Sequence, residues 1–287
     1  MAFRKEVVLF TPEWLTNIKV PIPKGIFFGT GGNRKLGNFQ DILSFSRHPG
    51  LPEDGGTCPA ASTEAGGCLA PAVAFRKDGT GPVHLEFACY GLRGKIRFWI
   101  ERGYYVINST EAPENPEALA EALDEAIIRS GRRRKDKTLL RFHPVGDFDT
   151  VPYIESWEAV LAARPWIDSF GFSRSWRIPL LRNALDGLRA LPNVQMLASM
   201  DRAIWNKGEL PPGWFRLPSG EVRPVAGAWK QAWMGEPVPE MRRYMFSCPE
   251  MLPPDDPRWM PSCRACGACW LGQTRAALQG PWFQVHQ

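Results

Sequence analysis

The sequence predicts an α/β protein, a partial or distorted β/α barrel with a loop-rich N-terminal region and a C-terminal cysteine-rich cap. Three observations carry that expectation. Between residues 116 and 199, helix-like and strand-like segments alternate with short connections, as in parallel β/α units. Residues 1–95 are crowded with Gly and Pro. Residues 248–287 hold four of the seven cysteines in the chain. The expectation is one domain over 1–287: a loop-rich part (1–95), a β/α core (96–247) and a cap (248–287).

In chain order, "PIPKGIFFGTGGNRKLGN" and "HPGLPEDGGTCPAASTEAGGC" require frequent backbone turns. Loops of that length call for an organiser such as a ligand or metal. "NPEALAEALDEAIIRSG" opens with an Asn cap and Pro at the first helical position. Leu119, Leu123 and Ile127 then recur every four residues along one face. "TLLRFH" (138–143) reads as a strand, "VPYIESWEAVLAAR" as a helix and "IDSFGFSR" (167–174) as a strand. "IPLLRNALDGLRAL" reads as a helix with Leu181, Leu185 and Leu188 on one face, and "VQMLAS" (194–199) as a third strand. Weaker strands are expected at "RPVAGAW" and "RYMFSC". An open doubly wound sheet is the rival architecture, but neither G-x-G-x-x-G nor G-x-x-x-x-G-K-[ST] occurs.

The 287 residues are 44% hydrophobic and 23% charged, enough apolar material for a buried core without disulfides. Twelve tryptophans point to aromatic packing or a lined pocket. A net charge of +5 tolerates an anionic partner without announcing one. The apolar run Val7 to Phe10 is too short for a signal peptide, and no run reaches the roughly 18 apolar residues of a membrane span. The expected location is cytoplasmic, with no membrane partner. There, clustered thiols favour metal binding or catalysis over disulfides.

In β/α folds the function sits at the carboxyl ends of the strands. Three such ends carry polar groups: His143, Gly146 and Asp147; Arg174, Ser175 and Trp176; Ser199 and Asp201. His143, Asp147, Arg174 and Asp201 are the candidate catalytic residues. Gly146, Asp147 and Ser199 are candidates for holding a cofactor. Each also has a structural reading: His143 bonded to a loop, Asp147 as a turn residue, Arg174 paired with Asp201 or Asp147, and Asp201 as a helix cap. "RSGRRRKDK" (129–137) is either a nucleic-acid contact or a basic helix end followed by a solvated loop.

"CRACGACW" spaces Cys263, Cys266 and Cys269 two residues apart, and Cys248-Pro249 lies fifteen residues upstream of Cys263. The run is similar to the bacterial ferredoxin spacing, in which each thiolate reaches a different iron of one cubane. Zinc ordinarily takes two separated C-x2-C pairs and is the alternative at this C-terminal site. Cys58, Cys68 and Cys89 are spaced C-x9-C-x20-C in the Gly/Pro-rich loops. Three thiolates on a cubane leave one iron open to a substrate or cofactor; unrelated buried thiols are the other reading.

"KLGN…SFS", "TCPAAS", "ACYGLRGKIRF", "LRFHPVGDF", "FGFSRSW", "LPNVQMLASMD" and "CRACGACW…FQVH" stand in an order that resembles the gene product 88 domain family of phages and mobile elements, from about Lys35 to His286. The resemblance matches Cys58-Pro59, Cys68 and Cys89-Tyr90 to a cysteine group of that family, with an insertion between the last two. It matches Cys248, Cys263, Cys266 and Cys269 to a second group. It implies an iron–sulfur protein and names no reaction. A fainter likeness to radical S-adenosylmethionine enzymes rests on the β/α pattern, the two cysteine groups and "HPVGDF", although C-x3-C-x2-C is absent.

The expectation is therefore a redox or radical-type enzyme holding two 4Fe–4S clusters, with S-adenosylmethionine as the cofactor the fainter likeness implies. An electron donor would be its partner, and its substrate is unnamed. The alternative is a zinc-stabilised nucleic-acid-binding or regulatory module of a mobile element.

Overall fold

A computed structural model describes residues 25–29, 42–75, 81–85, 88–93, 99–249, 252, 255–261, 266, 269 and 280–283. Its frame is a seven-stranded sheet ordered β1-β4-β5-β6-β9-β11-β10, in which every neighbouring pair is parallel. The strands are β1 (Ile42–Phe45), β4 (Thr138–Phe142), β5 (Ile167–Ser173), β6 (Val194–Met200), β9 (Gln231–Met234), β10 (Met245–Ser247) and β11 (Gly280–Phe283). Two antiparallel ribbons stand beside it: β2 (Ala72–Phe75) with β3 (Pro82–Leu85), and β7 (Trp214–Arg216) with β8 (Val222–Pro224).

Short α1 (Tyr90–Arg93) and α2 (Trp99–Glu111) precede the core helices. Helix α3 (Pro116–Arg129) begins as its sequence dictates, with Asn115 Oδ1 accepting from the Ala118 amide at 2.9 Å and Pro116 where no helical donor is lost. Its Leu119, Leu123, Ala126 and Ile127 are buried. Helix α4 (Val151–Ala162) contributes Tyr153 and Trp157, and α5 (Pro179–Ala190) contributes Leu181, Leu185 and Leu188. All three stripes join one core with Leu140, Phe142, Met196, Ala198, Met200 and Trp233 of the sheet. Burial of each such side chain contributes about 1.5–3 kcal/mol. The three helices therefore pack on a single face of the sheet, unlike the two-faced arrangement of a doubly wound fold. Strand order follows chain order from β1 to β9, and then β11 inserts between β9 and β10.

The expected alternation of core helices and strands is present, as is the strand in "RYMFSC". "RPVAGAW" differs from expectation. Only Arg223 and Pro224 of it are strand, in the outlying ribbon, and the central strand comes later at Gln231–Met234. Pro224 cannot donate to a ladder, which suits a ribbon edge. Strand β1 lies in the region read as loops, because four residues are too short to show a period. Helix α6 (Arg202–Asn206) follows β6 directly. Among the described residues no helix is long and apolar enough to cross a membrane.

Candidate functional site

The carboxyl ends of β1, β4, β5 and β6 form one edge of the sheet, and the loop carrying Cys58 and Cys68 is fastened onto it. The Thr57 amide and hydroxyl both donate to the His48 carbonyl just beyond β1, at 2.9 Å each. The Cys58 amide donates to Gly50 O at 2.8 Å. The Asp147 amide, beyond β4, donates to Thr57 Oγ1 at 3.2 Å. Arg177, beyond β5, donates to Ala60 O at 3.0 Å while gripping Glu209 at 2.6 and 2.7 Å. The Cys89 amide donates to Cys68 O at 2.6 Å, bringing the third cysteine alongside the second.

Asp147 is buried, with both carboxylate oxygens engaged. Its Oδ1 accepts from the Phe148 amide at 2.8 Å and from Ser173 Oγ at 2.7 Å, and its Oδ2 accepts from the Arg174 amide at 2.8 Å. Burial outweighs these donors and raises its pKa to about 6. Arg174 is buried against Asp201 in an ion pair, and Asp201 also caps α6 by accepting from the Ile204 amide at 2.9 Å. Burial opposes the Arg174 charge, yet Cys68, Asp201 and Cys89 hold its pKa above the ordinary value. Gly146 has φ +86°, and a Cβ there would stand 2.8 Å from Arg47 O, so the turn that delivers Asp147 needs glycine.

The three N-terminal cysteines, spread over the stretch from 58 to 89, come within electrostatic reach of one another. Burial, then Asp147 and Cys89, pushes the Cys58 thiol well above its ordinary pKa. Burial and Cys68 raise Cys89, with backbone amides of Leu92 and Gly91 and the Arg174 charge opposing. Three partly buried thiols this close together, with Cys58 and Cys89 raised by burial and by their neighbours, fit a site completed by positive charge, since coordination to a metal is what stabilises adjacent thiolates. Among the described residues no three His, Cys, Asp or Glu side chains converge on the position of a single ion.

His143 lies elsewhere. Its backbone has φ 40°, which turns the ring toward the helix-packed core, where Nε2 meets the Tyr153 hydroxyl at 2.7 Å. Phe45, Phe142 and Phe148 surround it. Burial, helped by the Arg47 charge, lowers its pKa well below 6.5, so the ring is neutral near pH 7. Nδ1 is buried without a partner among the described residues. Ser199 is half-buried, with its carbonyl accepting from Trp176 Nε1 at 3.4 Å.

At the C-terminal end, Cys248 follows β10 directly, and its neighbours Ser247 and Pro249 help line a cavity of about 470 Å³. Cys266 and Cys269 are half-buried, and Cys263 lies outside the described residues. Burial lowers the Lys230 pKa against the opposing pull of Cys269, which places that sulfur near the amino end of β9.

Sequence reasoning missed Arg47 and Thr57. Arg47 is buried, pairs with both oxygens of Asp149 at 2.5 and 3.1 Å, donates to Ser109 O at 3.1 Å and stacks 4.1 Å over Tyr153. A lone Arg in a short loop gives no periodic signal. A buried charge of this kind is visible only once its partner, 102 residues away, is in place.

A protein-family model described as gene product 88 matches residues 29–272. No curated protein and no solved structure matches the chain.

Proposed function

We infer that this chain, which belongs to the gene product 88 family of phages and mobile elements, is an iron–sulfur protein of redox or radical type. In this reading Cys58, Cys68 and Cys89 hold one 4Fe–4S cluster with an open iron. Cys248, Cys263, Cys266 and Cys269 hold a second. The carrying observation is the convergence of three thiols, from a loop and a separate turn, beside Asp147 and Arg174 at the carboxyl edge of a parallel sheet. A cubane spaces its ligands more widely than one ion does, because each thiolate meets its own iron. The sheet would be part of an incompletely closed barrel, with its helices outside.

When bound, an open-site cluster supplies single electrons and a coordination position, which in the radical S-adenosylmethionine case takes the methionyl amine and carboxylate. The chain's own residues have separate tasks. Arg174 offsets thiolate charge while Asp201 keeps the guanidinium in place. Asp147, held by three donors, faces Cys58 as an acceptor for an ammonium or a proton. Gly146 lets the backbone pass close to Arg47. Ser199 offers a hydroxyl on the adjacent strand end. His143 serves as a neutral packing group that fixes the turn.

A second reading, a zinc-held nucleic-acid-binding module, is favoured by the exposed turn carrying Arg133, Arg134 and Lys135 at the opposite edge of the sheet.

Anaerobic purification with iron, sulfide and zinc analysis separates the two. The first reading expects brown protein with about eight iron and eight sulfide per chain. Cys58→Ala, Cys68→Ala or Cys89→Ala should each remove about half of the iron, and Cys266→Ala or Cys269→Ala the other half. A colourless chain with zinc alone, and nucleic-acid binding that falls steeply with salt, overturns it in favour of the second.

A further inference from the structure

The helices cover one face of the sheet; the other carries its own chemistry. Residues in register on neighbouring strands share a face, and here Ser44, Arg141, Phe170 and Gln195 form one row across β1, β4, β5 and β6. The next row holds Phe172 and Leu197, and Lys230 stands beside Leu197 because its carbonyl accepts from the Ala198 amide at 2.8 Å. One row further lie Arg174 and Ser199, at the edge where the cysteines sit. None of the residues from Arg141 to Ser199 in these rows belongs to the core shared with the helices.

Two donors in the first row have no acceptor among the described residues. Arg141 Nε and Gln195 Nε2 are both buried and unbonded. The Arg141 guanidinium carbon lies 5.9 Å and 5.6 Å from the centroids of Phe170 and Phe172, and among the described residues Arg141 takes part in no ion pair. Asp168, on this face in the row below, is held by Lys137 at 2.7 Å. A guanidinium whose Nε is buried without an acceptor beside two aromatic rings, with an amide donor two strands away, is short of an anion. Two strand spacings amount to about 10 Å, which two long side chains span from either side of the Phe170 ring.

The geometry points to a binding site for a small organic anion on this face. Arg141 and Gln195 hold its carboxylate or phosphate, the half-buried Phe172 lies against its apolar part, and Lys230 adds a second positive charge one row nearer the cysteines. An elongated ligand held at Arg141 extends along the rows toward Arg174. The site uses no cysteine, so it stands or falls apart from the iron reading.

The test is binding to the full-length chain, using benzoate and inorganic phosphate as separate probes and the Arg Nε–H signals in ¹⁵N-resolved NMR as the readout. Either probe should shift the Arg141 signal saturably while the signal of exposed Arg133 stays still. Benzoate alone identifies a carboxylate site with an apolar floor, and phosphate alone a phosphate site. Arg141→Met keeps the volume of the side chain and should weaken binding at least about tenfold. Gln195→Leu should weaken it several-fold, and Arg133→Gln should leave it unchanged. Cys58→Ser, with less iron, should still bind the probe. The proposal is overturned if neither probe moves the Arg141 signal, or if Arg141→Met or Gln195→Leu binds as the parent does. Should Arg141→Met fail to fold, the parent titration and Gln195→Leu decide.

Discussion

The two faces of the one sheet differ more than any two of its strands do. On the helix side, Leu140, Phe142, Met196, Ala198 and Met200 join the stripes of three helices in one apolar cluster. On the other side, the same strands present Arg141, Phe172, Gln195 and Ser199, half-buried and polar or aromatic. Strand alternation thus separates stability from chemistry residue by residue. The helix face sets how firmly the sheet is held. The opposite face and its carboxyl edge set what the sheet can bind.

The sharpest way to break this comparison is truncation on the helix side. Trp157→Ala removes a fully buried ring that packs edge-on against Phe28, Phe45 and Phe142, and it should cost about 3–5 kcal/mol in urea unfolding. Arg141→Met, in the strand that carries Phe142, should change stability by less than about 1 kcal/mol, because it removes a charge that has no ion-pair partner among the described residues. Equal losses at the two positions would erase the distinction.

At the carboxyl edge the charged pair behaves like core. Asp201→Asn retains a good cap for α6 but leaves Arg174 buried without its carboxylate, at a cost of about 3 kcal/mol. Thermal melting of Asp201→Asn against Asp201→Ala separates charge from cap. The alanine variant should be lower by a further 1 kcal/mol or so.

Asp147 and His143 give the edge two opposing pH dependences. Asp147 has a folded pKa of about 6, above the ordinary carboxyl value of 3.8. The folded state then binds the extra proton, so this contribution is present at low pH and is lost as pH rises from about 4 to about 6. His143 has a folded pKa well below 6.5. It resists protonation, so its contribution is present above about pH 6.5 and is lost as pH falls below that value. In iron-free protein, Asp147→Asn should therefore leave stability rising with pH between 4 and 6.5. His143→Asn, which tolerates the left-handed backbone, should leave it falling over 4 to 6. For Asp147 an amplitude of about 3 kcal/mol is expected in chemical unfolding. Parallel profiles for the two variants would show that one of the assignments is inverted.

The contrast also explains what the sequence disclosed. The helices α3, α4 and α5 and strands β4, β5 and β6 were legible because a one-sided stripe must repeat at the period of its element. Leu119, Leu123 and Ile127, or Leu181, Leu185 and Leu188, leave few other readings. Asp147, Arg174 and Asp201 were legible as candidates because strand ends in parallel sheets face one edge. Their partners were not. The hydrogen bond from Asp147 to Thr57 joins residues 90 apart, and that from Arg177 to Ala60 joins residues 117 apart. Contacts so distant in the chain impose no spacing on it. Strand β1 was hidden for a related reason, since four residues, three of them buried, resemble any short apolar run.

The smallest effect bears on how the cysteine loop is held. Lys207 and Glu64 approach to 2.8 Å across the junction between that loop and α6, yet both are largely exposed. Water and salt screen such a pair, so Lys207→Ala should cost no more than about 0.5 kcal/mol and leave loop protection in hydrogen exchange unchanged. Thr57→Val removes the hydroxyl that both donates to His48 and accepts from Asp147, so it should cost about 1–2 kcal/mol and speed exchange of the Cys58 and Asp147 amides together. If Lys207→Ala loosens the loop as much as Thr57→Val does, the loop is held from its exposed rim. It would then no longer be part of the sheet edge that positions Asp147 and Arg174.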